Sequence, residues 1–241
     1  SASPFAATPI VRGNTMPERH REHGSGHPNH AHHGHPAGGP HHAFADPVAL
    51  TKVLDDPARD AWQRPDDVLQ AMELEPAMIV ADVGAGTGYF AVRLARAVPR
   101  GEVIATDLEP DLVRFLNERA QREQLANLHA SLATKDDTRL AANSVDRILV
   151  VHIWHHLENR VAYARSLATA LRPGGRLFVV DYNLDAHQGP PESMRAALEV
   201  VVAELEAAGL TARVSALALP DQYCVEAQRS LEAHEAGAEA P

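Results

Sequence analysis

Cysteine is nearly absent from this 241-residue chain, which contains Cys224 alone. A single thiol excludes an intrachain disulfide and any metal site that needs several thiolates. A basic excess is also missing: the formal net charge is −10, so no nucleic-acid partner is expected. No apolar run approaches the ~20 residues that a membrane span requires. The apolar fraction of 45% is nevertheless that of an ordinary globular protein.

The two ends of the chain differ in composition from its middle. Residues 1–44 hold most of the chain's fifteen histidines among Gly and Pro, and we expect a disordered His-rich leader. Such a leader could bind a transition metal weakly. Residues 228–241 are rich in Ala and Glu, and we expect a flexible tail. One domain, residues 45–227, lies between these segments.

The first residue is Ser1, and no intact signal peptide follows it. We therefore expect a cytoplasmic protein. The alternative is a periplasmic or exported protein whose signal was removed before Ser1. Nothing in the sequence predicts the oligomeric state.

Strand and helix patterns alternate through the middle of the chain. Apolar runs predict five strands, at residues 78–83, 102–107, 128–133, 145–151 and 176–181. A helical stripe runs from Met194 to Leu205, and Gly209 ends it. This alternation indicates a parallel sheet that is covered by helices on both faces.

The end of the chain breaks this alternation. Two strand-like runs, residues 211–219 and 222–227, are joined only by Pro220-Asp221. This link is too short for a helical crossover, so the two strands should pair antiparallel. The predicted fold class is α/β: a Rossmann-like, doubly wound seven-stranded sheet, mostly parallel, with a C-terminal antiparallel hairpin.

Three glycines follow the first predicted strand, in the segment VADVGAGTGYF at residues 80–90. Dinucleotide enzymes use the spacing G-x-G-x-x-G at this position. Here the spacing is Gly84, Gly86 and Gly88, and Tyr89 stands where the last glycine of that pattern belongs. Asp82 would repel a pyrophosphate but attract an ammonium or sulfonium group. The turn is therefore better suited to a cationic amino-acid ligand than to a dinucleotide.

A second carboxylate, Asp107, ends the second predicted strand. A carboxylate there can accept hydrogen bonds from both hydroxyls of a ribose. An adenosyl ligand with a cationic amino-acid tail is S-adenosyl-L-methionine, which is therefore the expected cofactor.

Four segments, in this order, resemble the motifs of the class I S-adenosylmethionine-dependent methyltransferases. They are VADVGAGTGYF, VIATDLEPDLV, SVDRILVVHIWHHLEN and LRPGGRLFVVDY. The His-rich leader and the segment DDPARDAWQRPDDVL further resemble a bacterial subgroup of small-molecule methyltransferases. The resemblance covers residues 48–227 and implies methyl transfer to a small-molecule acceptor by in-line displacement.

The resemblance also implies which residues bind the cofactor. The expected set is Asp82, Gly84, Ala85, Gly86, Gly88, Asp107, Leu108, Asp136, Asp137 and His152. Leu108 would lie against the adenine, and either Asp136 or Asp137 would accept a hydrogen bond from the adenine amino group. For these two acids, a solvated turn is the alternative. In the family, the segment around Trp62 folds over the cofactor cleft, although Trp62 could instead be a core residue.

Two histidines follow the fourth predicted strand and are the candidate catalytic residues. His155 or His156 could be a general base, because imidazole titrates near neutral pH and this loop faces the donor methyl group in the family. The alternative is a structural role, in packing on Trp154 or in capping a helix at Asn159. Many relatives have an acid where His152 stands, so the analogy to metal-dependent catechol methyltransferases is weak and no catalytic metal is expected.

Other functions remain open at this point. A catalytically silent methyltransferase fold could serve as a cofactor sensor or a metal-binding module, and measured turnover would exclude it. A dehydrogenase is disfavoured by Tyr89 and Asp82. An arsenite methyltransferase would need several cysteines, which this chain does not have.

Overall fold

The structure of the protein, a computed structural model, describes residues 47–230. The predicted leader lies outside the described residues, and so does the predicted tail from residue 231. Residues 228 and 229, which the sequence assigned to the tail, instead end the last strand of the sheet, because they pair with a neighbouring strand. The other domain boundaries stay predictions. Within the described residues, no helix has the length and apolar character needed to cross a bilayer.

Seven strands and seven α-helices make up the described part of the chain. The strands are β1 (Ile79–Val83), β2 (Glu102–Asp107), β3 (Leu128–Leu132), β4 (Val145–Val151), β5 (Leu171–Tyr182), β6 (Leu210–Val214) and β7 (Gln222–Arg229). The helices are α1 (Pro47–Leu54), α2 (Arg59–Gln63), α3 (Pro65–Ala71), α4 (Ala91–Ala97), α5 (Pro110–Arg122), α6 (Arg160–Ala170) and α7 (Leu198–Ala207).

All seven strands form one sheet in the order β3-β2-β1-β4-β5-β7-β6. The strands β1 to β5 are parallel to one another, whereas β7 runs antiparallel to both β5 and β6. The predicted fold class is therefore confirmed. The strand order reverses between β1 and β4, and a ligand crevice lies outside the carboxyl ends of the strands at such a point.

Helices bury both faces of this sheet. Residues of α3, α4 and α5 pack on one face, and residues of α6 and α7 pack on the other. Cys224, on β7, belongs to the first of these cores and is 1% exposed. Its burial raises the pKa of the thiol to about 12.

Three element boundaries differ from the sequence predictions by more than two residues. β6 ends at Val214 rather than at residue 219, because Leu217 and Leu219 pack on the core as a loop and do not pair as a strand. Met194 lies in a short 3-10 helix and is 43% exposed, so the apolar stripe of α7 begins only at Leu198. β5 begins at Leu171 rather than at residue 176, so that Pro173-Gly174-Gly175 lies inside the strand, at a shift in its register with β4.

Candidate cofactor and acceptor site

The glycine turn lies at the carboxyl end of β1. Gly84 and Gly88 have φ values of +73° and +93°, and a Cβ atom there would come within 2.4 Å of Ile153 and 2.3 Å of Leu116. Both positions therefore need glycine for conformation and for packing. Gly86, with φ of +57°, differs: a Cβ atom there would meet only Leu54 Cδ1, at 3.5 Å. The backbone at Gly86 is thus the part of the turn that a ligand can approach.

The carboxylate of Asp107 is fixed beside this turn. Its Oδ2 accepts a hydrogen bond from the backbone N–H of Gly86 at 2.8 Å, and its Oδ1 accepts one from the N–H of Glu109 at 3.0 Å. Burial raises the pKa of this carboxyl group. The next side chain, Leu108, is an apolar group that is 48% exposed. A fixed carboxylate and an exposed apolar side chain are therefore adjacent at the end of β2, and their contacts with the ribose and the adenine stay predictions.

Asp82 is the most unusual group at the site. It is 3% exposed, and its Oδ2 atom has no hydrogen-bond partner among the described residues. Burial, with the nearby charge of Asp107, raises the pKa of the Asp82 carboxyl group to about 7. A buried polar atom without a partner is costly, and a cationic ligand would compensate it.

A cation, Arg59, also lies at this site, and the sequence patterns did not indicate it. Arg59, on α2, stacks its guanidinium 4.0 Å from the centre of the Tyr89 ring and donates to the carbonyl oxygen of Leu54 at 2.7 Å. Burial lowers the pKa of Arg59, and the charges of Asp82 and Asp55 act in the opposite direction. An anion and a cation therefore interact within one partly buried site.

Two acids fasten the α1–α2 segment to the glycine turn. Asp55 accepts a hydrogen bond from Thr87 Oγ1 at 2.8 Å and forms an ion pair with Arg119. Asp60 accepts from the hydroxyl of Tyr89. Because Thr87 and Tyr89 flank Gly88, the segment is tied directly to the turn.

His155 and His156 have different environments. His155 Nδ1 lies 2.8 Å and 3.0 Å from the two carboxylate oxygens of Asp181, and both side chains are almost fully buried, at 3% and 1% exposed. The Asp181 carboxylate also accepts from the backbone N–H groups of His155 and Tyr182. A carboxylate accepts only, so the contact favours a proton on Nδ1 and leaves a lone pair on Nε2. His156 is exposed, with its ring centre 4.0 Å from that of His155.

The helix cap that was one structural alternative for the histidines is made by another residue, whereas packing of a histidine on Trp154 stays a prediction. Asn159 itself caps α6, where its side chain accepts from the N–H of Ala162. The buried Trp154 donates its indole N–H to Glu204 at 2.8 Å.

The two acids after β3 are both exposed. Asp137 Oδ1 accepts a hydrogen bond from the N–H of Arg139 at 2.7 Å, which is a local turn contact. This is the arrangement expected of a solvated turn. A contact of Asp136 or Asp137 with adenine stays a prediction.

Three rings meet where β4 and β5 end. His152 has a φ of +57°, in the left-handed region, and its ring stacks on Tyr182 at 4.2 Å between centres. The Trp62 ring lies 6.0 Å from His152 and 6.4 Å from Tyr182. Trp62 is partly exposed, so it does not have the alternative role that the sequence allowed, which was that of a buried core residue. We call Trp62, His152 and Tyr182 the aromatic wall.

Comparison with known proteins shows what the segment that contains this site is similar to. Residues 80–175 match the family described as a methyltransferase domain. This range contains the glycine turn, Asp107 and both candidate catalytic histidines. An uncharacterized methyltransferase from Mycobacterium bovis is 39% identical over 111 residues, which are 46% of this chain and 42% of that protein.

A ubiquinone biosynthesis O-methyltransferase from Xanthomonas axonopodis pv. citri is 31% identical over 111 residues, which are 46% of each protein. The chain thus spans less than half the length of these curated relatives. The crystal structure of a SAM-dependent methyltransferase from Aquifex aeolicus is 28% identical, with a TM-score of 0.67. That match covers 76% of this chain and 97% of the Aquifex chain.

Proposed function

We propose that the chain is a class I S-adenosylmethionine-dependent methyltransferase and that it transfers the methyl group of this cofactor to a small-molecule acceptor. The observation that carries the proposal is the buried carboxylate of Asp82, whose Oδ2 atom has no hydrogen-bond partner among the described residues and which lies beside an open glycine turn and near Asp107. A dinucleotide would place phosphates against two carboxylates. A ligand with a sulfonium and an ammonium group would instead place positive charge beside the Asp82 carboxylate, which is favourable.

We assign the parts of the cofactor to these residues. The ribose hydroxyls bind Asp107, the adenine lies on Leu108, and the ammonium group of the methionine tail binds near Asp82. Arg59, whose charge interacts with that of Asp82, offers a cation for the carboxylate of the tail. The cofactor sulfonium is already an activated donor, so the protein mainly aligns the acceptor and excludes water.

The transfer is an in-line displacement. A lone pair of the acceptor attacks the methyl carbon while the electrons of the carbon–sulfur bond pass to sulfur, which gives S-adenosylhomocysteine. For a hydroxyl acceptor, we assign removal of its proton to His155 Nε2. Asp181 holds the opposite ring nitrogen and stabilises the imidazolium that forms. The name of the Xanthomonas relative, an O-methyltransferase, is consistent with a hydroxyl acceptor.

The experiment is a screen of acceptor classes for release of S-adenosylhomocysteine, with His155→Ala and the matched variant His156→Ala. We expect turnover with a hydroxyl compound, a loss on the order of a hundredfold in rate for His155→Ala, and little loss for His156→Ala. Cofactor affinity should change little in either variant. Cofactor binding without product for any acceptor would instead favour a catalytically silent sensor.

A further inference from the structure

A chain of buried amides connects Arg59 to the aromatic wall. Gln63, four residues after Arg59 on α2, is fully buried, and Gln222, at the start of β7, is 3% exposed. The Gln63 amide contacts the Gln222 amide at 2.9 Å, and the Gln222 amide contacts His152 Nε2. Buried amides must satisfy their hydrogen bonds, so the orientation of each group depends on its neighbour.

The orientation of these two amides follows from Arg59, because a guanidinium group only donates hydrogen bonds. Its Nε and Nη2 atoms lie 3.3 Å and 3.1 Å from the same atom of Gln63, which must therefore be the carbonyl oxygen. The nitrogen of Gln63 then donates to the oxygen of Gln222. The nitrogen of Gln222 is left to face His152 Nε2. An amide is usually oriented by its hydrogen-bond network, and here the donor-only arginine decides it.

The last contact constrains the histidine. The NH₂ group of Gln222 can only donate, so His152 Nε2 must accept and cannot have a proton. The neutral ring then has its proton on Nδ1, which lies 3.5 Å from the hydroxyl of Tyr182. Burial raises the pKa of Tyr182 to about 12, so this phenol keeps its own proton at neutral pH.

We propose that Gln63 and Gln222 are positioning residues that hold His152 neutral, with its proton on Nδ1, and so keep the aromatic wall uncharged beside the acceptor. The role of the wall in acceptor binding rests on the proposed function. The protonation state of His152 does not, and it can be measured without turnover. A failure of this inference is therefore distinguishable from a failure of methyl transfer.

The test is Gln63→Glu, which leaves His152 itself unchanged. The substitution should reverse the donor–acceptor direction of the hydrogen bonds that connect residue 63, Gln222 and His152. Both carboxylate oxygens of the new side chain accept: one from Arg59 and the other from Gln222, whose amide must then turn its oxygen toward His152. His152 Nε2 would have to donate. We therefore expect the His152 proton to move from Nδ1 in the native protein to Nε2 in the variant.

The measurement is two-bond ¹H–¹⁵N correlation on the full chain with ¹⁵N-labelled histidine, with His152 assigned from a variant that lacks it. Gln70→Glu, an exposed site on α3, makes the same chemical change outside the chain of amides and should leave the His152 signals unchanged. If Gln63→Glu does not fold, Gln222→Glu tests the same point, since its carboxylate also requires a proton on Nε2. A native His152 with its proton on Nε2, or an unchanged pattern in the folded variant, would overturn the proposal.

Discussion

The affinity for S-adenosylmethionine should depend on pH through Asp82. The pKa of this carboxyl group is about 7 in the unliganded protein. The cofactor's positive charges favour the ionised carboxylate, so binding below this pKa must release the proton. The same shift acts on stability. From about pH 4 to about pH 7 the folded protein keeps a proton that the unfolded chain has lost, so Asp82 makes the unliganded protein less stable as the pH rises.

The size of the effect follows from the ionised fraction of Asp82. With a pKa of about 7, about half of the carboxyl groups are ionised at pH 7, about a tenth at pH 6 and about a hundredth at pH 5. If only the ionised form binds, the apparent Kd rises about fivefold from pH 7 to pH 6, and about another tenfold from pH 6 to pH 5.

Isothermal titration calorimetry in two buffers of different ionisation enthalpy measures both the Kd and the protons released. We expect release of about one proton per site near pH 5, falling toward none at about pH 8. Asp82→Asn is the control, because its amide does not titrate. The dependence of the Kd on pH that is due to this position should vanish, and binding should be weaker. A native Kd that is flat across this range, or the same slope in Asp82→Asn, would refute the reasoning.

Three further predictions test the site and its frame. Asp107→Ala should weaken cofactor binding by about 1.5–3 kcal/mol, the scale of hydrogen bonds to a charged group, and an unchanged calorimetric affinity would remove Asp107 from the site. Gly88→Ala should lower the denaturation midpoint more than Gly209→Ala. Both glycines have positive φ, +93° and +88°, but only at Gly88 would the new methyl group meet a neighbour, Leu116; equal losses would contradict this. Deletion of residues 1–40 should leave cofactor affinity unchanged, because their composition cannot bury a core, and a weaker affinity would place part of the leader at the site.

Local sequence patterns were sufficient for the sheet but not for every boundary. The predicted ranges of β2 and β4 match the structure, because both are short apolar strands flanked by clear turn or helix signals. The run at 211–219 was read too long because Leu217 and Leu219 alternate as a strand would, although they pack on the core. The short helices α1 and α2 were not predicted, because contacts distant in sequence, such as that of Asp60 with Tyr89, hold them in place.

The residues of the candidate site likewise fall into two groups: those that local sequence patterns predicted, and those whose roles depend on contacts distant in sequence. The glycine turn and Asp107 could be predicted as neighbours because both belong to one β–α–β unit, β1–α4–β2, whose spacing reports their geometry. The choice between His155 and His156 could not be made from the sequence, since it depends on Asp181, on a neighbouring strand. Arg59 and Gln63, for which we propose functional roles, were not predicted for a similar reason: each is one polar residue in a short helix, and the proposed roles depend on partners such as Gln222.

The buried thiol of β7 gives the protein an internal reporter of its own opening. Cys224 is the one cysteine in the chain, it is 1% exposed, and its pKa is about 12, so the native state offers a reagent almost no thiolate. Labelling must therefore wait for an opening that separates β7 from its neighbours, and its rate measures how often that occurs. A ligand that binds only the closed state slows labelling by a factor of 1 + [L]/Kd. Cofactor binding could thus be measured from the labelling rate of Cys224. This residue lies on β7, which β4 and β5 separate from β1 and its glycine turn, so no probe is added to the site.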